Sequence, residues 1–300
     1  MKLAILSRNK QLFSIRRLLK EARAMRVECE VFDPLDCQIV VRHDLNTLFV
    51  RDRILDDVDV VIPRIGASIT EYGLAVVRQL EAMRIPVINP SFAIAQSRDK
   101  LHCLQVLAKK GFQVPNTVLM RGTKWFRSAL RWVHGTPAVV KLLEGTQGVG
   151  VMIVESPTSA ESVLDAMWRL EQDVILQQFI SESAGRDIRA FVIGDKVVAA
   201  MRRSAKDGDF RSNIHRGGEG EIIHLKEPFK KAAIGAAKAV GLTVAGVDML
   251  ESLTGPRIIE INSSPGFEGI EAATGMNIAK LIIQHCTKFA RSARRGRKSK

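Results

Sequence analysis

Between residue 1 and about residue 90 the chain alternates short apolar runs with helically spaced segments, and this alternation restricts its fold more than any other feature. KLAILS reads as a strand, and QLFSIRRLLKEARAM carries Leu12, Ile15, Leu18, Leu19 and Ala22 at helical spacing. VECEVFDP and VDVVIPRIG read as further strands, with ITEYGLAVVRQLEAM as a second helix before PVINP. Strands joined through helices pair in parallel, so this part predicts a parallel sheet with helices on its faces. Open sheets of this kind bind ligands at the carboxyl ends of their strands, where Ser7-Arg8-Asn9 and Pro63-Arg64-Ile65-Gly66 lie. Arg64 is there either to hold a carboxylate or as a solvated loop arginine.

From Ser91 the pattern changes. AIAQSRDKLHCLQVLAKKG reads as helix, QVPNTVLM as a strand and KWFRSALRWVHG as another helix; TPAVVKLLEGTQGVGVMIVES then gives two apolar runs separated by glycines. Neither G-x-x-x-x-G-K-[ST] nor G-x-G-x-x-G matches, and no helix follows, so P-loop and Rossmann sites are excluded on context. A strand–loop–strand is left: a plain flexible hairpin, or a phosphate cover whose glycines let backbone N–H groups approach an anion. Lys141 sits just before this flap, near 144–150, on the face of Val139 and Leu143. A charge on an apolar face must snorkel or meet an anion, and a phosphate under the flap is such an anion. After the helix SAESVLDAMWRL comes DVILQQFI, a strand with a polar end, then GRDIRAFVIGDKVVAAMRR, two strands about a Gly-Asp turn. Asp187 begins the first of these, close enough to QQFI for both to line one cleft.

In DFRSNIHRGGEGE, Arg211 and Asn213 share a face if the segment is extended, presenting a cationic fork and an amide. After the helix FKKAAIGAAKAVG, the segments VAGVDML, ESLTGP and RIIEINSSPG read as strand, turn and strand. Glu260 and Asn262 then point the same way, and a turn centred on Thr254 sets Asp248 opposite Glu260. Facing carboxylates repel unless a cation joins them. With Asn262 they form a hard-oxygen set suited to Mg²⁺ or Mn²⁺. The competing reading has solvent-facing acids alternating with core isoleucines.

Composition narrows the class. Of 300 residues 46% are hydrophobic, enough for a large core or two to three lobes, and no apolar stretch approaches the roughly 18 residues of a membrane helix. The Leu3–Leu6 run is too short for a signal-peptide core, so the expected location is the cytoplasm without membrane association. Cys29, Cys37, Cys103 and Cys286 lie far apart without a C-x-x-C pair and are expected to be reduced, mostly buried thiols; the histidines show no zinc spacing. The net charge is +13, but residues 288–300 hold seven Lys/Arg and no acid, leaving 38 basic against 32 acidic residues elsewhere. That tail is expected to be disordered, with contact to the ribosome, RNA or an acidic partner through charge alone.

The order of these pieces is similar to the ATP-grasp fold: a lysine in a strand before a glycine flap, a polar strand end, R-x-N, then D…E-x-N. From MKLAILSRN through PRIGASIT, NPSFAIAQSRDK, VVKLLEGTQGVGV, RDIRAFVIGDKVVAA, KDGDFRSNIHRGG, AGVDML and EINSSPGFEGIE, the chain resembles the RimK family over residues 1 to about 285. The resemblance implies an α/β and α+β protein: an N-terminal parallel-sheet (pre-ATP-grasp) domain, 1–90, and a two-lobed ATP-grasp domain, 91–287, with 288–300 outside it. It implies that Lys141 contacts ATP phosphate, that Gln178 and Phe179 form the adenine hinge, and that Asp187 holds the ribose. Arg211, Ser212 and Asn213 complete the nucleotide site, Arg211 and Arg203 neutralise the transferred phosphate, and Asp248, Glu260 and Asn262 carry two Mg²⁺ or Mn²⁺ ions. At the hinge, Gln177-Gln178-Phe179 departs from the family's usual Gln-Glu-Tyr, so a hinge carboxylate has no counterpart here.

The family's reaction joins glutamate to the carboxyl terminus of small-subunit ribosomal protein S-six, or to a growing poly-glutamate chain, through an acyl phosphate, releasing ADP and phosphate. A tetramer is implied with it. Two other readings stand beside this one: an ATP-grasp ligase for another amino acid or small molecule, and a ribosome- or RNA-binding factor that has lost activity. Lys141, Arg211, Asp248, Glu260 and Asn262 together argue against the last, since a pure binding module has no use for buried charges aimed at ATP.

Overall fold

The computed structural model describes residues 1–44, 46–143, 150–205 and 219–298. The first domain contains β1 (Lys2–Leu6), α1 (Phe13–Ala24), β2 (Glu28–Phe32), β3 (Cys37–Val41), β4 (Asn46–Val50), β5 (Arg53–Ile54), β6 (Val60–Pro63) and α2 (Thr70–Ala82). Strands β2, β1 and β6 form the expected parallel sheet, with Leu3 opposite both Cys29 and Val60. PVINP adds one further parallel bridge, Val61 to Val87. The sequence reading leaves residues 37–54 unassigned; they form an antiparallel meander, β3-β4-β5, whose short strands bury only part of one face against α2.

The second domain begins with α3 (Ser91–Arg98) and α4 (Lys100–Lys109). The single helix expected here breaks at Asp99, whose side chain accepts from the His102 N–H and caps the second helix. There follow β7 (Thr117–Met120), α5 (Phe126–Trp132), β8 (Ala138–Leu142), β9 (Val151–Val154), α6 (Pro157–Arg169) and β10 (Val174–Gln178). These strands make an antiparallel sheet in the order β7-β10-β8-β9. Ala138 and Val140 on β8 point into the core under α5 and α6, which leaves Val139 and Lys141 on the other face.

The second lobe is built from β11 (Arg186–Ile193), β12 (Lys196–Ser204), β13 (Glu219–Ile222), α7 (Glu227–Val240), β14 (Val244–Ser252), β15 (Gly255–Asn262), α8 (Glu268–Thr274) and α9 (Ile278–Lys298). Its antiparallel sheet runs β13-β12-β11-β14-β15. α7 covers one face, with Ala233, Ala236, Ala237 and Val240 packed on Val247, Met249, Ile258 and Ile261. α9 binds this lobe to the first domain, because Ile278, Ile282, Ile283 and Cys286 share a core with Leu3, Ile5, Leu18 and Ile62 and with Phe191 and Phe267. Truncating a side chain such as Phe267 there would cost about 3–5 kcal/mol.

The helix α9 runs through Lys298, so the segment from 288, expected to be disordered, is helical in its described part. Its apolar spacing continues into that segment, where Ala290 is fully buried in the same core, and Arg294 pairs with Asp59. Cys37, Cys103 and Cys286 are buried and Cys29 is half-buried, all as free thiols. Among the described residues no helix is long and apolar enough to cross a membrane.

Candidate active site

The closing hairpin brings the acidic residues together by two compensating irregularities. Its loop has two residues, Leu253 and Thr254, with Ser252 opposite Gly255 and Met249 opposite Ile258; continued without interruption this register would set Asp248 against Ile259. A bulge at Ile259 instead places Asp248 opposite Glu260. The extra residue also switches faces: Ile258 and Ile261 both lie in the core under α7, while Glu260 and Asn262 face away from it. Asp248 and Gly246, their partners on β14, share that outward face.

Across the same sheet the charges form a row. Asp187 and Arg189 are two apart on β11 and share a face; Arg203 on β12 lies opposite Asp187, and Asp248 opposite Arg189. Arg203 grips Asp187 with Nε at 2.6 Å and Nη2 at 2.5 Å, and Arg189 grips Asp248 with Nε at 2.7 Å and Nη2 at 2.6 Å. Arg203 Nη2 also lies 3.0 Å from Asp248 Oδ2, linking the two forks. Arg203 and Asp248 are 3% and 2% exposed, so these are charge-assisted, bidentate bonds away from bulk water.

Glu260 ends the row without an ion-pair partner among the described residues, and its side chain is open to solvent in the cleft. Burial alone would raise the Asp248 carboxyl, but Arg189 and Arg203 hold it below the usual range. Glu260 is shifted the other way, upward, by the protein crowded around it and by the Asp248 charge opposite. Asn262, next on the same face, has a buried side-chain Nδ2 with no hydrogen-bond partner.

Lys141 stands in the facing wall. It is half-buried on β8, and withdrawal from water lowers its ammonium pKa to about 8, with nearby Lys100 adding repulsion and Glu260 opposing the shift. Lys100, at the start of α4, crosses to the end of β8 and donates to the carbonyls of Leu143 at 2.8 Å and Leu142 at 3.3 Å. Gln178 ends β10 where the chain leaves the central sheet. Its backbone N–H donates to the Asn116 carbonyl at 2.8 Å, its Oε1 accepts from Arg257 at 3.5 Å, and Phe179 follows, half-buried.

The structure therefore joins Asp187, Arg203, Asp248 and Glu260 in one row, with Asn262 on the same hairpin face and Lys141 opposite. Both Asp187 oxygens, expected to hold a ribose, are engaged by Arg203. Arg203 itself faces two carboxylates. Arg211, Ser212, Asn213 and the flap glycines before Gly150 lie outside the described residues.

Three residues were missed or misread in the sequence. Arg189 shares the Asp187 face by simple alternation, and that spacing was available to find it. Asn89 was overlooked: 2% exposed, it donates to the carbonyls of Val244 at 2.7 Å and Ser263 at 2.9 Å and accepts from the Val244 N–H at 3.0 Å, pinning both ends of the hairpin. Arg64 is half-buried and not a solvated loop residue. It donates to the Pro265 carbonyl at 2.9 Å and lies 5.9 Å from the Phe267 ring centre, while Ser264 Oγ donates to the Pro63 carbonyl at 3.1 Å. The loop after Asn262 is thus clamped by the first domain.

Comparison with known proteins agrees with this architecture. The RimK-like ATP-grasp domain matches residues 97–286 and the RimK PreATP-grasp domain residues 1–94. The chain belongs to the RimK-like ATP-grasp family. Such proteins are ATP-dependent carboxylate–amine ligases. Two curated relatives are each named "Probable alpha-L-glutamate ligase": one from Pseudoalteromonas translucida, 48% identical over 292 residues with 97% of each chain covered, and one from Marinobacter nauticus, 50% identical over 283 residues with 94% of each covered. Among solved structures, the ATP-grasp ligase PsnB complexed with minimal precursor, Mg and ADP superposes with a TM-score of 0.76 at 20% identity, covering 97% of this chain and 98% of that one. D-alanine–D-alanine ligase from Bacillus anthracis complexed with ATP gives 0.72 at 19% identity, covering 99% of each. These distant likenesses show the shared ATP-grasp fold.

A divalent ion fits the RimK-like site chemically. Glu260 offers a carboxylate with no ion-pair partner among the described residues, Asn262 an amide oxygen on the same hairpin face, and Asp248 a carboxylate oriented by Arg189 and Arg203; these are the hard oxygen donors such an ion takes.

Proposed function

We propose that this chain is an ATP-dependent α-L-glutamate ligase that extends the carboxyl terminus of a small-subunit ribosomal protein, and a poly-glutamate chain grown on it, through an acyl phosphate. The observation that carries this reading is the row of carboxylates and arginines ending in an uncompensated Glu260 that faces Lys141. A nucleotide polyphosphate with a divalent ion supplies the charges that this arrangement lacks.

In the first step an oxygen of the acceptor carboxylate attacks the γ-phosphorus, the bond to the β-phosphate oxygen breaks, and ADP leaves with the electron pair. In the second the amine of glutamate attacks the acyl carbon, the carbon–oxygen bond to phosphate breaks, and the nitrogen loses a proton as phosphate departs. Mg²⁺ or Mn²⁺, two ions by family resemblance, supplies charge to the phosphate oxygens when bound. Asp248, Glu260 and Asn262 hold it, with Arg189 and Arg203 keeping Asp248 ionised and oriented. Lys141 binds phosphate oxygen, Gln178 and Phe179 the adenine, Asp187 the ribose side, and Ser212 and Asn213 complete the nucleotide site. Arg211, with Arg203 behind it, neutralises the transferred phosphate. Removing one such preorganised charge typically costs about 10²–10³ in rate. The glycine flap excludes water from the acyl phosphate, the basic carboxy-terminal helix adds charge attraction to the ribosome, and the assembly is a tetramer.

The test is incorporation of radiolabelled glutamate with Mg-ATP, with and without the ribosomal protein. Label transferred to that protein's carboxyl terminus supports the reading. ADP release that does not require glutamate identifies a ligase for another amine, and absence of nucleotide turnover under every condition identifies an inactive binding protein.

A further inference from the structure

We propose that the outer face of the central lobe, around Trp125 and Trp132, binds single-stranded RNA. This face lies across the β7-β10-β8-β9 sheet from Lys141, so it is separate from the ligase cleft. The chain has three tryptophans, and two of them, Trp125 and Trp132, are each 69% exposed. Two indoles this open to water on one short element form an exposed aromatic patch, the kind of surface that marks interaction sites. They are seven positions apart at the two ends of α5, which puts them on one side of the helix and about 10 Å apart along its axis.

Charge surrounds these rings. Arg121, Lys124, Arg127 and Arg131 are all exposed, and residues 121–135 contain no acid. Arg121 pairs with Asp173 at 3.4 Å and the Lys124 ammonium lies 5.1 Å from the Trp125 ring centre, whereas Arg127 and Arg131 have no ion-pair partner among the described residues. Thr123, Lys124, Trp125, Arg127, Ser128 and Arg131 line a concave site of about 350 Å³, with Glu161 as its acid.

Free guanidinium groups beside open indoles suit an anionic chain that also carries flat rings. An acidic peptide would answer the charge but leave both indoles wet; a duplex would answer the charge but keep its bases inside. A single strand supplies phosphates for Arg127, Arg131 and Lys124 and bases for stacking, and 10 Å is about three stacked steps of 3.4 Å. The hydroxyls of Thr123 and Ser128, without partners among the described residues, can meet a ribose 2′-OH.

The experiment titrates full-length protein into a fluorescein-labelled single-stranded RNA of about 12 nucleotides, following anisotropy and tryptophan quenching across a salt series. Expected are binding with quenching, a slope of log affinity against log salt of about −2 for three phosphates, and a weaker complex with the deoxy strand. W125A and W132A each weaken binding about 5- to 150-fold, W125F restores most of it, and R127E/R131E abolishes it, all with glutamate incorporation unchanged. K288E/R291E on the carboxy-terminal helix leaves the affinity as it was. The proposal is overturned by any of four results: no binding; equal competition by the duplex, the deoxy strand or poly-L-glutamate; loss of binding only in K288E/R291E; or sedimentation showing that a second copy of the chain covers the tryptophans and that W125A disperses it.

Discussion

At pH 7 the Lys141 side chain carries a proton that its surroundings hold weakly. Its pKa is lowered from 10.5 to about 8, so the folded protein gives up this proton more readily than the unfolded chain, and stability rises with pH between those values. The charge that would bind phosphate is lost over the same range. We therefore expect kcat/KM for ATP to fall as pH rises through about 8, and K141R to move that limb to higher pH; a limb that stays in place in K141R assigns it to another group. Asp248 and Glu260 act in opposite senses. Asp248, held low, contributes stability above its unfolded pKa that is lost as pH falls through the folded one, whereas Glu260, held high, loses stability as pH rises through its range. Removing Arg189 leaves the buried Asp248 carboxylate with Arg203 as its one cation, so R189M is expected to lower unfolding free energy by about 1–3 kcal/mol. The double variant R189M/D248N should recover part of this loss in urea denaturation, and strictly additive losses would show that the pair is not coupled. Alternation along β11 makes Arg189 legible beside Asp187. Its partner was not legible, because the pairing of β11 with β14 joins residues 59 apart in the chain.

At the scale of elements, strands and helices with strong periodicity were read correctly, and the exceptions share a cause. The break at Asp99, the short meander of β3-β4-β5 and the helical continuation of α9 each depend on a cap or a packing partner that local spacing does not contain. The hairpin is more instructive. Counting from Thr254 paired Asp248 with Glu260, but the protein reaches that pairing through a shorter turn and a compensating bulge, and only the bulge lets Ile258 and Ile261 enter the core while Glu260 faces the cleft. Gly246 holds the next link, because a Cβ there would lie 2.9 Å from Pro265 Cβ in the loop following Asn262. G246A should therefore push that loop away, cost about 1–3 kcal/mol in denaturation, and weaken Mn²⁺ binding followed by electron paramagnetic resonance; unchanged metal affinity would detach the loop from the site.

For the whole molecule, the arrangement predicts that ligand supplies missing charge. Mg-ADP at about 100 times its dissociation constant should stabilise the fold by about 2.7 kcal/mol, read as a rise in melting temperature. E260Q should raise the ligand-free melting temperature by relieving Asp248 and should weaken the part of the ADP shift that depends on Mg²⁺. An equal Mg²⁺-dependent shift in both proteins would remove Glu260 from the metal set. By itself the sequence determined the parallel sheet, most of the later strands and helices, the identity of Lys141, Asp248, Glu260 and Asn262 as a candidate set, and the family, since periodicity and ordered motifs are local properties written along the chain. Tertiary structure alone decided that Arg203 and Arg189 occupy the two aspartates, that Arg64 and Asn89 clamp the hairpin from the first domain, and that two tryptophans lie open on the central lobe. Those outcomes depend on which surfaces meet, and burial, desolvation and charge compensation act only after distant segments have come together.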